Sequence, residues 1–119
     1  MIKLLSAERH EKGWGYELWL VNNEKYCGKR LIFHAGKRFS FHYHKKKHEH
    51  FYVVKGSFIL RTSWEDDWAK ADRITLVIGD VVEIPPGLRH QLVALQDSEI
   101  IEISTQHFED DSFRVVRGD

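Results

Sequence analysis

Three histidines and a glutamate carry the chemistry most visible in this chain. His42 and His44 are two residues apart, Glu49 follows five later, and His90 comes after Pro85-Pro86-Gly87. If Arg38 to His44 is a strand, as Phe39, Phe41 and Tyr43 suggest, both imidazoles leave one face. Lys45 to Lys47 then reads as a solvated turn, and Glu49 opens a return strand, His50 to Lys55, with the aromatic and β-branched residues Phe51, Tyr52, Val53 and Val54. In such a hairpin the Glu49 carboxylate reaches the point both histidines address. A fourth ligand comes from GDVVEIPPGLRH, Gly79 to His90, where a β-branched strand runs into a Pro-Pro-Gly turn. Imidazole and carboxylate together suit Fe, Mn, Ni, Co or Zn, and four protein ligands leave positions for water or substrate. The plainer alternative is a polar barrel mouth that binds metal only weakly. A carboxylate half-buried among imidazoles is costly, however, unless a cation compensates it.

The other histidines invite less. The pleat puts His50 on the face opposite Glu49, and His48, in the turn, becomes a ligand only if the register differs by one. His10, His34 and His107 read as surface or core residues.

The elements that must position these groups are strands. Trp14 to Leu20 alternates apolar and polar residues, and Asn22-Asn23-Glu24 supplies a turn. Tyr26 to His34 follows, then the two hairpin strands, the second continuing past Gly56 as Ser57 to Thr62. Arg73 to Ile78, Val81 to Ile84, His90 to Leu95 and Glu99 to Ser104 bring the total to about eight, which predicts an all-β barrel or sandwich. Residues 1–12 read as a short N-terminal segment. SWEDDWAKAD, residues 63–72, interrupts the pattern as a loop excursion that packs its own tryptophans or joins a mouth or dimer contact. The tail from Phe108 to Asp119 forms a short helix or a final strand.

The motif residues resemble those of the cupin superfamily. Its first motif, G-x5-H-x-H-x3-4-E-x6-G, is met by Gly36, His42, His44, Glu49 and Gly56; its second, G-x5-P-x-G-x2-H-x3-N, by Gly79, Pro85, Gly87 and His90, with Ala94 in place of the asparagine. The resemblance implies a single-domain double-stranded β-helix, a jelly roll, over residues 1–119, and a divalent metal held by His42, His44, Glu49 and His90. GWGYELWL (Gly13 to Leu20), GKRLIFHAGKRFSFHYH (Gly28 to His44) and EIIEISTQHFEDDSFRV (Glu99 to Val115) are further similar to the mannose-6-phosphate isomerase type II domain that also ends GDP-mannose pyrophosphorylases. That likeness implies aldose–ketose isomerisation of a sugar phosphate, with Glu49 and Arg89 as catalytic candidates and Arg30, Lys37, Arg38 and Arg89 as candidates for the phosphate; phosphate capture by the Lys45 to Lys47 tip is the minority alternative to a solvated turn. The same ligand set serves an Fe(II) dioxygenase, and a non-catalytic sugar- or ligand-binding module is the third reading.

Composition narrows the partners. Among 119 residues, eighteen basic and eighteen acidic side chains cancel, so no overall field recruits nucleic acid or an anionic membrane. Cys27 is alone, which excludes an internal disulfide and suits a cytoplasmic protein. No apolar run approaches the roughly 20 residues of a membrane span. The aromatics Phe39, Phe41, Tyr43 and Tyr52, placed on outward strand faces, predict self-association, and the resemblance implies a homodimer.

Overall fold

The computed structural model describes every residue from Met1 to Asp119. Eleven strands follow one another: β1 (Glu8–Lys12), β2 (Gly15–Asn22), β3 (Cys27–Phe33), β4 (Phe41–Tyr43), β5 (Glu49–Lys55), β6 (Ser57–Ser63), β7 (Asp72–Val77), β8 (Val81–Ile84), β9 (Arg89–Ala94), β10 (Ser98–Ser104) and β11 (Phe113–Val116). They form two antiparallel sheets, β1-β2-β3-β10-β5-β8 and β11-β4-β9-β6-β7, packed face to face as a jelly roll. No helix of the chain is long and apolar enough to cross a membrane.

The strand count rises from about eight to eleven at the two ends of the chain and at Gly56, where the strand expected to continue from His50 to Thr62 divides into β5 and β6 of different sheets. Residues 8–12 of the N-terminal segment are β1, paired with β2 from Glu8↔Trp19 to Lys12↔Gly15. The tail resolves as a strand, β11, against β4. Between them the expected strands stand with boundaries shifted by a residue or two, except that Arg38 to His44 shrinks to Phe41–Tyr43.

The predicted metal hairpin needs a larger correction. β4 and β5 are not partners: β4 pairs with β9 and β11, and β5 with β10 and β8. Residues 44–48 therefore cross from one sheet to the other. Pro85-Pro86-Gly87 makes a second crossing, from β8 to β9. At Gly87 φ is +88°, and at Gly56, which joins β5 to β6 across the sandwich, φ is +77°. A Cβ on Gly56 would lie 2.0 Å from Ser98 Oγ, so this corner requires glycine for space as well as for backbone conformation.

The inner face of the six-stranded sheet is graded. At one end Phe33, Val53 and Ile100 are buried, with Phe58, Leu60 and Leu92 facing them from the other sheet. At the other end the same alternation turns in Lys29, Glu49 and Glu102, all at most 4% exposed. Lys29 and Glu102 are direct cross-strand partners, as are Ser104 and Glu49. One end of the sandwich is thus a packed core and the other a charged cavity. Burying one of the large apolar residues at the packed end contributes about 1.5–3 kcal/mol.

Phe39 and Phe41 correct the expectation of an outward aromatic face. Phe39 is 8% exposed inside the core and packs edge-on against His42 and His90; Phe41 is fully buried. Only Phe41–Tyr43 is regular strand, with Arg38 forming an isolated bridge to Val93, so alternation does not extend back through Phe39. Tyr43 is covered by Phe113, stacked at 5.3 Å. Tyr52 alone of the four is exposed.

Residues 64–71 contain no strand, as expected of an excursion. Trp68 is its anchor: Nε1 donates to Gln91 Oε1, and the Arg61 guanidinium lies 4.0 Å from the ring centroid. Trp64 is exposed, so the loop packs one of its two tryptophans.

Candidate metal centre

His42, His44 and His90 converge from β4, the crossing after it, and the start of β9, with their ligand atoms within 4.8 Å of one another. His42 and His90 are register partners. Glu49 reaches the same point from the opposite sheet: its Oε2 lies 3.4 Å from His44 Nε2 and 3.2 Å from His90 Nε2. The structure thus brings together the four residues predicted to be metal ligands, although they meet across the sandwich rather than within a hairpin.

Hydrogen bonds define the chemical state of each imidazole. His42 Nδ1 is 2.7 Å from the Ser40 carbonyl, His90 Nδ1 is 3.0 Å from that of Leu88, and His44 Nδ1 contacts that of Asp111. A carbonyl only accepts, so Nδ1 carries the proton in all three rings and each neutral ring keeps a bare lone pair on Nε2. Burial holds His42 well below the usual histidine range, helped by the neighbouring imidazoles, and lowers His44 to about 4. Burial alone would push the Glu49 carboxyl up. The Lys47 ammonium 3.6 Å away outweighs it and holds Glu49 well below the carboxylate range.

A carboxylate oxygen therefore faces nitrogen lone pairs. Glu49 Oε2 and His90 Nε2, though 3.2 Å apart, are not aligned for a hydrogen bond, and both are buried without a partner. Buried polar atoms are rarely left so, and each costs about 1–3 kcal/mol. A divalent cation among the four side chains satisfies both atoms and turns the lone-pair repulsion into coordination, so the residues fit a metal.

The centre lies in a cavity of about 430 Å³ whose lining includes Lys29, Lys47, Glu102, His107, Arg114 and Arg117. Lys47 corrects the picture of a solvated Lys45 to Lys47 tip. Lys45 and Lys46 are exposed, but Lys47 is 3% exposed and turns inward, bonding Glu102 Oε2 at 2.9 Å. Burial opposes its charge, but Glu102 and Glu49 on either side more than restore it. Glu102 is pushed up by burial and by the charge of Glu49, partly offset by Lys47. His107 lines the cavity with Nδ1 3.2 Å from Lys47 Nζ; burial and the charges of Lys29 and Lys47 lower it to about 3. Lys29 Nζ is 4.2 Å from the Trp19 ring centroid and 3.7 Å from Glu17 Oε1.

The four phosphate candidates of the motif strands, Arg30, Lys37, Arg38 and Arg89, lie elsewhere. Arg89 binds Asp66 at 2.8 Å and covers Tyr43, outside the cavity lining. Arg30 pairs with Glu99, Arg38 lies near Trp68, and Lys37 is exposed; none of them lines the cavity. The catalytic candidacy of Arg89 accordingly loses its geometric ground. The signal that marks Lys29 and Glu102 was present in the sequence: each is in phase with the apolar residues of its strand, Leu31 and Phe33 or Ile100.

The family model described as a cupin domain matches residues 29–104, which include all four converging residues. The chain belongs to the cupin family. No curated protein sequence matches it. Among solved structures, this cupin is similar to CapF, a capsular polysaccharide assembling protein from Staphylococcus aureus, at TM-score 0.77 and 20% identity over 92% of this chain and 32% of that one. It is similar to oxalate decarboxylase from Bacillus subtilis at TM-score 0.76 and 18% identity, covering 95% of this chain and 33% of that one. KdgF from Halomonas sp. matches at TM-score 0.72 and 21% identity, over 89% of this chain and 92% of that one. The cupin thus spans about a third of the length of the first two, and at these identities the likeness shows the fold alone.

Proposed function

We propose that this cupin is a metal-dependent enzyme acting on a small anionic sugar derivative, with aldose–ketose isomerisation of a sugar phosphate as its reaction. The observation that carries the proposal is the pair of orphaned buried atoms, Glu49 Oε2 and His90 Nε2, at a point shared with two other bare imidazole nitrogens. His42, His44, Glu49 and His90 would hold the metal, which supplies Lewis-acid polarisation of a substrate oxygen. The three carbonyl-anchored Nδ1 atoms fix the ring orientations before any ligand arrives.

The cavity favours an anion. Lys29 is buried with no hydrogen bond to the protein closer than the 3.7 Å contact to Glu17, so its ammonium is available to a phosphate or carboxylate oxygen. Arg114 and Arg117 add charge at the lining. Glu17 and Glu102 are the inward carboxyl groups beside Lys29 and Lys47, placed to take or return a proton; burial makes Glu102 the readier to be protonated. Two solved neighbours carry names that suit this ligand class, one assembling a capsular polysaccharide and one decarboxylating oxalate. A cytoplasmic homodimer belongs to the same reading, with Tyr52, Val81 and Ile103 supplying exposed apolar surface for the contact.

The deciding experiment is metal analysis by plasma mass spectrometry on untagged protein, beside His42→Ala/Glu49→Ala, followed by a product assay on a panel of aldose and ketose phosphates. About one equivalent lost in the variant, with conversion that stops on chelation and returns with one metal, is the expected result. Bound metal with oxygen uptake but no isomerisation would replace the reaction by an Fe(II) oxygenase; a metal content equal in the double variant and the wild type would overturn the centre itself.

A further inference from the structure

β5 presents metal-binding side chains on both of its faces. Glu49 points into the sandwich, while His48, just before the strand, and His50 project to the outside. Across the ladder His50 is the register partner of Glu83 on β8. Glu83 Oε2 lies 2.9 Å from His48 Nε2 and 3.9 Å from His50 Nε2, and the two imidazoles are stacked at 5.5 Å with 23° between their planes. The three ligand atoms fall within 4.8 Å of one another.

A hydrogen bond alone would need one imidazole; here two address a single carboxylate oxygen. Ligand atoms around a tetrahedral zinc at about 2.0–2.2 Å are roughly 3.4 Å apart, a spacing the observed distances bracket. The β5–β8 pairing fixes the His50 to Glu83 separation, and the side chains are exposed enough to close onto an ion by small rotamer changes: 40%, 47% and 59% for His48, His50 and Glu83. From this geometry we infer that His48, His50 and Glu83 form a second, exterior divalent-cation site. Two nitrogens and one oxygen suit Zn2+, Cu2+, Ni2+ or Co2+ rather than Ca2+ or Mg2+, and the remaining position is open to water. The site is independent of the interior centre: no ligand is shared, and the two sets leave β5 on opposite faces.

The test is Zn2+ titration of untagged protein by calorimetry, with bound zinc counted after gel filtration. The His42→Ala/Glu49→Ala background isolates the exterior site, and His50→Gln/Glu83→Gln is introduced into that background and into the wild type. Expected are one equivalent in the interior-deleted protein and its loss, or at least a tenfold weakening, when the exterior pair is also changed. Near-ultraviolet circular dichroism confirms folding; the exterior substitutions are exposed and remove no core contact. Zinc uptake that is unchanged by His50→Gln/Glu83→Gln, or no uptake by the folded interior-deleted protein, would overturn the site.

Discussion

Lys47 is the residue on which the electrostatics of the cavity turn. It stands 2.9 Å from Glu102 and 3.6 Å from Glu49, one buried cation between two buried carboxyl groups. Lys47→Met would leave both without their counter-charge at a cost of about 3–5 kcal/mol. Urea unfolding of the metal-free protein reads the loss, and Lys47→Met/Glu102→Gln should recover part of it because one carboxylate is then neutral. Equal stability of the single and double variants would show that Glu102 is uncharged once Lys47 is gone. Lys47 also shows where the sequence misleads. A Lys-Lys-Lys run reads as a solvated turn, and nothing in the run separates the third lysine from the first two; only its position against Glu102, fifty-five residues away, turns it inward. His42, His44 and Glu49 were legible because their spacing is local, and His90 because a Pro-Pro-Gly turn marks it, whereas Lys29 and Glu102 required the strand phase to be followed on polar as well as apolar positions.

The crossing of residues 44–48 is held by an element that the sequence left undecided. Asp111, just before β11, accepts from the backbone N–H groups of Lys45, Lys46 and Lys47, and its own carbonyl receives His44 Nδ1–H. Burial raises the Asp111 carboxyl, but these three donors lower it further. Asp111→Ala removes the acceptor of all three N–H groups and should cost about 1–3 kcal/mol of stability by thermal melting; the backbone carbonyl that receives His44 Nδ1–H remains, so metal affinity should fall only as far as the loosened crossing displaces that carbonyl. Asp111→Asn, which keeps an acceptor and the backbone, should fall between. Tail to crossing is a contact of more than sixty residues in sequence, which is why neither side announces it. The strands themselves were readable from alternation, yet the sheet each one joins was not. Period-two patterning specifies which side chains share a face and is silent on whether a turn returns the chain to its neighbour or carries it across.

Across the whole molecule, the buried histidines set the dependence of stability on acid. In the metal-free protein His44 and His107 stay neutral down to about 4 and about 3, while in the unfolded chain they protonate near 6.5. The unfolded state therefore binds more protons below that value, and stability is lost as pH falls from about 6.5, through about 4 for His44 and about 3 for His107, each contributing on the order of 1–3 kcal/mol. Melting temperatures across this range should decline in the metal-free protein, and His107→Leu should decline less steeply; a flat profile would contradict the assigned charge states. Glu102 works in the opposite sense, since its raised carboxyl takes up a proton in the folded protein first. Light scattering at rising concentration tests the apolar surface around Tyr52, Val81 and Ile103 as a homodimer contact, with Tyr52→Lys expected to give monomers.

One further property follows from where the four inward ligands are rooted. Three imidazoles belong to the five-stranded side and the carboxylate to the six-stranded side. An ion seated among them would fasten one wall to the other. Metal binding should then slow the parting of the two sheets, and amide hydrogen exchange at β4, β5 and β9 should be slower with metal than without it.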